Sequence, residues 1–288
     1  MNVILSKKRG PKTQLIVPNF SIFPDGQPHV KLEGVDFSEY HLAEINCSIR
    51  NPKELFDFIM LWDTLERCIP VRGRIYWLFG IRMDRPIDDF QPSTFETVKS
   101  ALGNRIGKIE LLDPHNYNVC KEFGGIIQPH WLIEAALFKF DSLNGYTGLD
   151  VFLPDAGAAK RYNTLLEKEN ILIGSKKRNS QTGWLSDFAI ESGTKGCDNV
   201  LIVDDLCAGG FTFSEQQKVL EKAGYKNFGL YTSHGIYSGN TSVLSKFSGI
   251  YSSNSFQFGQ AGNEKFALNT YVFDEQNLIL TNQEISPL

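Results

Sequence analysis

Residues 200–213 read Val-Leu-Ile-Val-Asp-Asp-Leu-Cys-Ala-Gly-Gly-Phe-Thr-Phe, and this stretch restricts the fold more than any other part of the chain. Residues 200–203 are an apolar run of a length that suits a buried strand. Two adjacent carboxylates follow, Asp204 and Asp205, then Ala208, Gly209, Gly210, the ring of Phe211 and the hydroxyl of Thr212. Residues 214–223 have helical spacing, with Val219, Leu220 and Ala223 on one face and Gly224 as a stop. A buried strand, a Gly-rich turn and a helix start predict an α/β layer whose ligand site lies at the strand's carboxyl end. Free backbone N–H groups and the helix dipole make such a turn an anion site. The alternative is an ordinary βα turn with solvated aspartates. Against it stands the acid pair, because neighbouring like charges repel unless hydroxyls or a cation use them.

The 288 residues accommodate one large domain or two medium ones. A net charge of −4 argues against a nucleic-acid surface, though not against a local basic pocket for phosphates. No apolar run approaches the ~18 residues that a membrane span needs. Cys47, Cys68, Cys120, Cys197 and Cys207 have no metal-type spacing and are odd in number. With no leader segment in view, they are expected to be reduced thiols of a cytoplasmic protein.

Periodicity supplies the rest of the frame. Strands are expected at residues 14–20, 30–32, 43–49, 74–79, 108–112, 149–153, 171–173, 188–190, 227–232, 250–252 and 267–272. Helices are expected at residues 52–68, 95–103, 131–140 and 158–168, the first of them apolar on two sides through Leu55, Phe56, Ile59, Met60, Trp62 and Leu65. Strand–helix alternation predicts an α/β fold with mainly parallel sheets. Two strand-rich halves place a break near Asn144 and Gly145, giving domains of residues 1–143 and 144–288. Several expected strands end in chemistry-bearing residues: Arg82, Asp84 and Arg85; Asp113 and His115; Asp155; and the acid pair. Arginine pairs match phosphate oxygens bidentately. Lys176, Lys177 and Arg178 open a polar run at 179–183, and such runs are commonly solvated faces. His41 and His130 lack any such context and are read as structural.

Residues 200–212 resemble the phosphoribosyl-diphosphate-binding motif of type I phosphoribosyltransferases and ribose-phosphate pyrophosphokinases. In that family the two acids hold vicinal ribose hydroxyls and the loop cradles the 5-phosphate. The resemblance covers about Phe23 to Gly239. Phe23 and Asp25 match an adenine-contacting Phe-x-Asp-Gly-Glu segment that crosses a subunit interface, with Gln27 replacing the acid. Arg82, Asp84 and Arg85 match an ATP-binding Arg-Gln-Asp-Arg, with Met83 replacing the Gln. His115 matches a magnesium ligand, and Asp155 with Gly157 matches a Ser-Pro-Asp-x-Gly-Gly loop. Lys176 and Arg178 match the two basic residues of a mobile catalytic loop, and residues 233–239 resemble Thr-His-x-x-x-Ser-Gly, with His234 structural or substrate-adjacent.

The resemblance implies two tandem phosphoribosyltransferase-like domains and a homodimer or hexamer; net charge and the lack of a long apolar run give the expectation of no nucleic-acid or membrane partner. It implies Mg²⁺-dependent transfer of the β,γ-diphosphate of ATP to the anomeric hydroxyl of a ribose 5-phosphate moiety, with AMP released. His115 and Asp155 would hold the metal. Lys176 and Arg178 would clamp the moving diphosphate. Nothing in this chemistry needs a covalent nucleophile, Cys207 included. The short tail at residues 275–288 argues against the phosphate and ADP regulation of long members.

The cradle departs from the usual Asp-Thr-Gly-Gly-Thr. Ala208 and Gly209 remove a carboxylate and a hydroxyl, and Phe211 introduces a ring, while Gly210 and Thr212 are kept. Either the cradle still takes ribose 5-phosphate, giving phosphoribosyl diphosphate, or the phosphate is esterified as in ADP-ribose. The second option fits the similarity to a short, partly phage-encoded branch associated with NAD salvage. Two other functions remain open. A phosphoribosyltransferase would consume the diphosphate and would not need Phe23 to Gln27 or Arg82 to Arg85. A silent synthetase-associated protein would lack the basic residues that Lys176 and Arg178 match.

Overall fold

The computed structural model describes all residues except 9–12, 87, 89, 167–168, 179–184, 239–240, 257–269, 274–279 and 282–288. The chain divides into two compact units, Met1–Gln128 and Pro129–Leu288.

Unit 1 contains β1 (Asn2–Lys7), β2 (Thr13–Ile16), β3 (Asn19–Ile22), β4 (Pro28–Lys31), β5 (Tyr40–Ile49), α1 (Pro52–Glu66), β6 (Val71–Leu78), α2 (Thr94–Leu102), β7 (Ile109–Leu112) and β8 (Gly125–Ile127). Its main sheet has the order β2-β1-β5-β6-β7-β8. The four strands β5 to β8 pair in parallel, and β1 and β2 add an antiparallel edge. The opening strand is thus β1, ahead of the expected one, and residues 14–20 are split between β2 and the β3–β4 hairpin. Pro18 interrupts that run, and proline cannot donate to a ladder. Helix α1 starts on an Asn51 cap with Pro52 in its first turn, the position that tolerates proline. It buries one stripe, Leu55, Phe58, Leu61, Trp62 and Leu65, and leaves Phe56 in solvent. The second apolar side read from the sequence is therefore not core: one helix face meets β5 and β6 and the other meets water.

Unit 2 contains α3 (His130–Leu143), β9 (Asp150–Leu153), α4 (Ala156–Tyr162), β10 (Asn170–Arg178), β11 (Leu185–Ser192), β12 (Asn199–Cys207), α5 (Phe211–Lys222), β13 (Asn227–Gly235), β14 (Gly249–Ser253), β15 (Thr270–Phe273) and β16 (Leu280–Thr281). The strand order is β11-β10-β9-β12-β13-β14-β15-β16, parallel from β10 to β15. Strands β9, β12, β13 and β14 are buried almost without a break, as parallel strands covered on both faces must be. Phe213 and Leu220 of α5 pack on one face with Phe152, Ile202 and Leu230. Helix α3 packs on β12, β13 and β14, its Phe140 ring set edge-on to Tyr251 at 6.4 Å. That contact assigns α3 to the second unit, so the boundary between the compact units falls before this helix. Among the described residues no helix is long and apolar enough to cross a membrane.

Several boundaries near the candidate site residues differ from the sequence expectation. Strand β12 continues through Asp204 and Asp205 to Cys207, because β13 still pairs with it there. Strand β10 runs to Arg178 because β11 pairs with it in an antiparallel ladder, so Lys176 and Arg178 sit on a strand and not in a loop. Helix α4 ends at Tyr162 in a short tight turn at Asn163–Leu165, well before residue 168. Residues 179–184, residues 267–269, Gly239 and most of the tail lie outside the described residues.

Candidate functional site

In unit 2 the chain order reverses between β9 and β12, which lie side by side although α4, β10 and β11 intervene in sequence. Such a switch point opens a crevice at the strands' carboxyl ends. Asp155 follows β9 there, and Asp204 and Asp205 lie near the end of β12. Asp155 Oδ1 accepts the Ala158 N–H at 2.9 Å and so caps α4, while Oδ2 meets Lys176 Nζ at 2.7 Å. Burial pushes the Asp155 carboxyl up, but the charge and hydrogen bond of Lys176 outweigh it and leave it below the usual range.

The acid pair is only 8% and 3% exposed. The Asp205 N–H donates to Asp204 Oδ1 at 2.9 Å. Arg161, from the last turn of α4, places Nη2 2.9 Å from Asp204 Oδ1 and 2.7 Å from Asp205 Oδ1. Burial and the neighbouring Asp205 hold the Asp204 carboxyl well above the ordinary range, with Arg161 acting in opposition. The sequence identified the acids but gave Arg161 no role. The signal was partial: two buried like charges demand a cation, and Arg161 lies on the helix that Asp155 caps after a buried strand.

The cradle follows. Gly210 has φ of +84°, and a Cβ there would come within 2.8 Å of the Leu244 side chain. Only glycine meets both conditions without strain. The Ala208 and Cys207 carbonyls accept N–H groups from Ser238, Ile236 and Tyr237, which ties the cradle to the loop after β13. Helix α5 begins at Phe211 with no side-chain cap, so its first N–H groups face outward from the turn. It starts three residues earlier than read from the sequence, and Thr212 falls within its first turn. Phe211 is 50% exposed, an unusual place for a phenyl ring. Cys207 is buried, which pushes its thiol up and keeps it inert. His234 is also buried, its Nδ1 2.8 Å from Ser255 Oγ, and it fastens the end of β13 to the turn after β14. Arg178 closes β10 in register with Leu185.

Unit 1 gathers its own set. Gly80, with φ of +84°, turns the chain out of β6, and Met83 N–H bonds to the Gly80 carbonyl at 2.8 Å. The Met83 carbonyl accepts Ser93 Oγ at 2.8 Å and the Phe95 N–H, which pins the loop to the start of α2. Arg82 and Arg85 are exposed and have no ion-pair partner among the described residues. Asn116 Nδ2 donates to Asp84 Oδ2 at 2.6 Å, joining this loop to the one that carries the exposed His115. Behind His115, Asp113 is fully buried at φ of +34° and accepts Tyr117 OH at 2.8 Å. Phe23, Asp25 and Gln27 form the tip of the β3–β4 hairpin: Phe23 N–H bonds to the Gln27 carbonyl at 2.8 Å, and the Gln27 N–H to Asp25 Oδ1 at 3.1 Å.

Mg²⁺ takes one or two carboxylates and completes its shell with phosphates and waters. The Asp155 carboxylate, 29% exposed, suits that pattern, whereas the imidazole of His115 is a softer donor than the ion prefers. Among the described residues no three His, Cys, Asp or Glu side chains converge on one metal position.

No family model matches the chain. It is 26% identical over 225 residues to a ribose-phosphate pyrophosphokinase of Thermococcus kodakarensis, covering 75% of this chain and 76% of the relative. It is 32% identical over 229 residues to ribose-phosphate pyrophosphokinase 3, chloroplastic, of Arabidopsis thaliana, and 30% identical over 234 residues to the mitochondrial form of Spinacia oleracea. These plant matches cover 76% and 78% of this chain but 55% and 57% of the relatives, so the chain spans little more than half their length. Among solved structures, the phosphoribosylpyrophosphate synthetase of Mycobacterium smegmatis has a TM-score of 0.70 and 17% identity, covering 90% of this chain and 86% of that one. The fold is therefore the mixed α/β fold of that synthetase. The sequence matches support a relationship to the ribose-phosphate pyrophosphokinases.

Proposed function

We propose that this chain is a diphosphotransferase that moves the β,γ-diphosphate of ATP to the anomeric hydroxyl of a ribose 5-phosphate moiety. The observation that carries the reading is the buried acid pair leading directly into a glycine turn and the uncapped start of α5. Carboxylates that accept from neighbouring hydroxyls and N–H groups that take an anion are what a phosphorylated sugar needs. The relatives' names point the same way.

In this reading Asp204 and Asp205 hold the two ring hydroxyls and so orient the anomeric oxygen. That oxygen attacks the β-phosphorus, the bridge oxygen to the α-phosphorus leaves with AMP, and the hydroxyl proton is released. Positioning of this kind supplies much of such an acceleration. Arg82 and Arg85 grip the triphosphate, and Phe23, Asp25 and Gln27 receive the base. Lys176 and Arg178 neutralise charge on the moving diphosphate. Asp155 would offer Mg²⁺ a carboxylate and His115 is the further ligand that the resemblance implies; the ion, when bound, would screen phosphate charge against the incoming hydroxyl. Exposed Ile22 and Phe23 at the hairpin support a second copy beside it.

A finer reading concerns the acceptor, and the half-exposed Phe211 favours it. A ring in the first turn of α5 leaves room for packing on an extension of the 5-phosphate, as in ADP-ribose, giving ADP-ribose 1-diphosphate. The test is to give the purified protein ATP, Mg²⁺ and either ribose 5-phosphate or ADP-ribose, and to measure AMP. AMP with either acceptor is expected. AMP with ribose 5-phosphate alone removes the ADP-ribose reading, and AMP with neither removes both.

A further inference from the structure

The acids assigned to the sugar already carry a cation within the protein. Arg161 Nη2 lies 2.9 Å from one carboxylate and 2.7 Å from the other, and its side chain is 11% exposed. Its position is prepared from three sides. Asp155 caps the helix that carries it, the guanidinium sits over the Tyr162 ring at 5.3 Å, and β9 and β12 set α4 beside the acids. We infer that Arg161 is the resident counter-ion of the acid pair, a positioning residue that keeps both carboxylates as hydrogen-bond acceptors for two neighbouring hydroxyls of a sugar. The identity of that sugar rests on the pyrophosphokinase reading; the electrostatic role does not.

The physical argument begins with the diol. Two neighbouring hydroxyls that both donate need two acceptors, and a protonated carboxylic acid turns one acceptor oxygen into a donor. Two adjacent carboxylates in a nearly closed environment do not both stay charged without help. The groups facing Asp204 are Asp205, Arg161, Lys176 and, further along β12, Cys207. Asp205 repels it. Cys207 is held neutral by burial and supplies no positive charge. Lys176 is engaged by Asp155 at 2.7 Å. Arg161 is the cation in hydrogen-bond contact with both acids, and its charge does not titrate in the working range. The same contact holds the Oδ1 atoms of both acids against one guanidinium nitrogen.

The experiment compares wild type, Arg161→Met and Arg161→Lys by two readouts. Carboxyl-carbon NMR of aspartate-labelled protein follows the titration of the pair. Steady-state AMP release gives KM for the sugar acceptor and for ATP against pH. In Arg161→Met the titration of the pair is expected to move up by about one to three pH units, and the acid limb of acceptor binding with it, while KM for ATP stays put. Arg161→Lys keeps a charge but loses the fork, so it is expected to shift less in the same direction. A purely structural role would lower the melting temperature without moving either titration. Unshifted titration in Arg161→Met overturns the inference. If that variant does not fold, unshifted titration in Arg161→Lys overturns it. A shifted titration beside a wild type that releases no AMP upholds the counter-ion and rejects the pyrophosphokinase reading instead.

Discussion

In unit 1 the parallel strands β5, β6, β7 and β8 lie side by side in chain order, and Arg82, Arg85 and His115 stand exposed at their carboxyl ends. In unit 2 the order reverses between β9 and β12, and the acids at that reversal are buried or paired. The two arrangements have different costs. An exposed arginine stays hydrated, so unit 1 needs only a fixed backbone, which Gly80, Ser93 and Asn116 provide. A buried carboxylate pair costs several kcal/mol per ion to desolvate, so unit 2 must build its counter-ions into the fold. In the proposed reading the contrast would match two tasks. A polyphosphate brings its own charge and would be met by open cations. A neutral diol brings none and would need acceptors that the fold keeps ionised.

Mutation can break this comparison most sharply at Lys176. Lys176→Ala is expected to lower kcat for AMP release by about 10²- to 10³-fold, the usual loss when one charge-stabilising group is removed. A rate left intact in that variant would detach the basic strand from the chemistry. Next in size, Arg82→Ala should raise KM for ATP by about tenfold to a hundredfold and leave KM for the acceptor unmoved, since charge-assisted hydrogen bonds contribute about 1.5–3 kcal/mol each. Initial-rate kinetics with each substrate varied in turn separates the two. Phe211→Ala should weaken ADP-ribose by about tenfold, the scale of losing one stacking contact, with ribose 5-phosphate little changed. Equal effects on both acceptors would return the ring to a structural role.

The smallest expected effect is on stability. Asp204 is raised in the folded state, so between its unfolded and folded values the native protein holds a proton that the unfolded chain has released, and above that window the pair is ionised beside Arg161. The group's contribution is present below its unfolded pKa and is lost as pH rises through the folded value. Asp204→Asn removes that loss. Thermal unfolding should show the variant melting a few degrees above the parent near neutral pH, with no gain in acid, even as AMP release falls. A lower melting temperature at neutral pH would mean that the ionised pair stabilises the fold through Arg161 more than it strains it.

The strands and most helices were legible because burial writes itself into sequence. The unbroken apolar run before Asp204 and the helical spacing of Leu55, Trp62 and Leu65 need no knowledge of what packs against them, although Phe58 and Leu61 of the buried stripe were not singled out. Where neighbours decide, the sequence was less informative. Lys176 and Arg178 read as a loop because their composition is that of a solvated run, and pairing with β11 makes them strand. Phe56 reads as core because it is apolar, and the single stripe that α1 buries leaves it in water. The placement of Arg82, His115, Asp155 and the acid pair at strand ends was legible because each follows an apolar run, yet their partners were not. Asn116 meets Asp84 from 32 positions away, and Arg161 meets Asp205 from 44.

By itself the sequence determined which groups this protein carries and on which strand ends they stand, since hydrophobic period and glycine turns are local properties. Tertiary structure alone decided their charge and partners. Arg161 became the companion of Asp204 and Asp205 only when β9 and β12 were laid side by side, and that pairing depends on which strands share a ladder, a choice made by packing over long sequence separations.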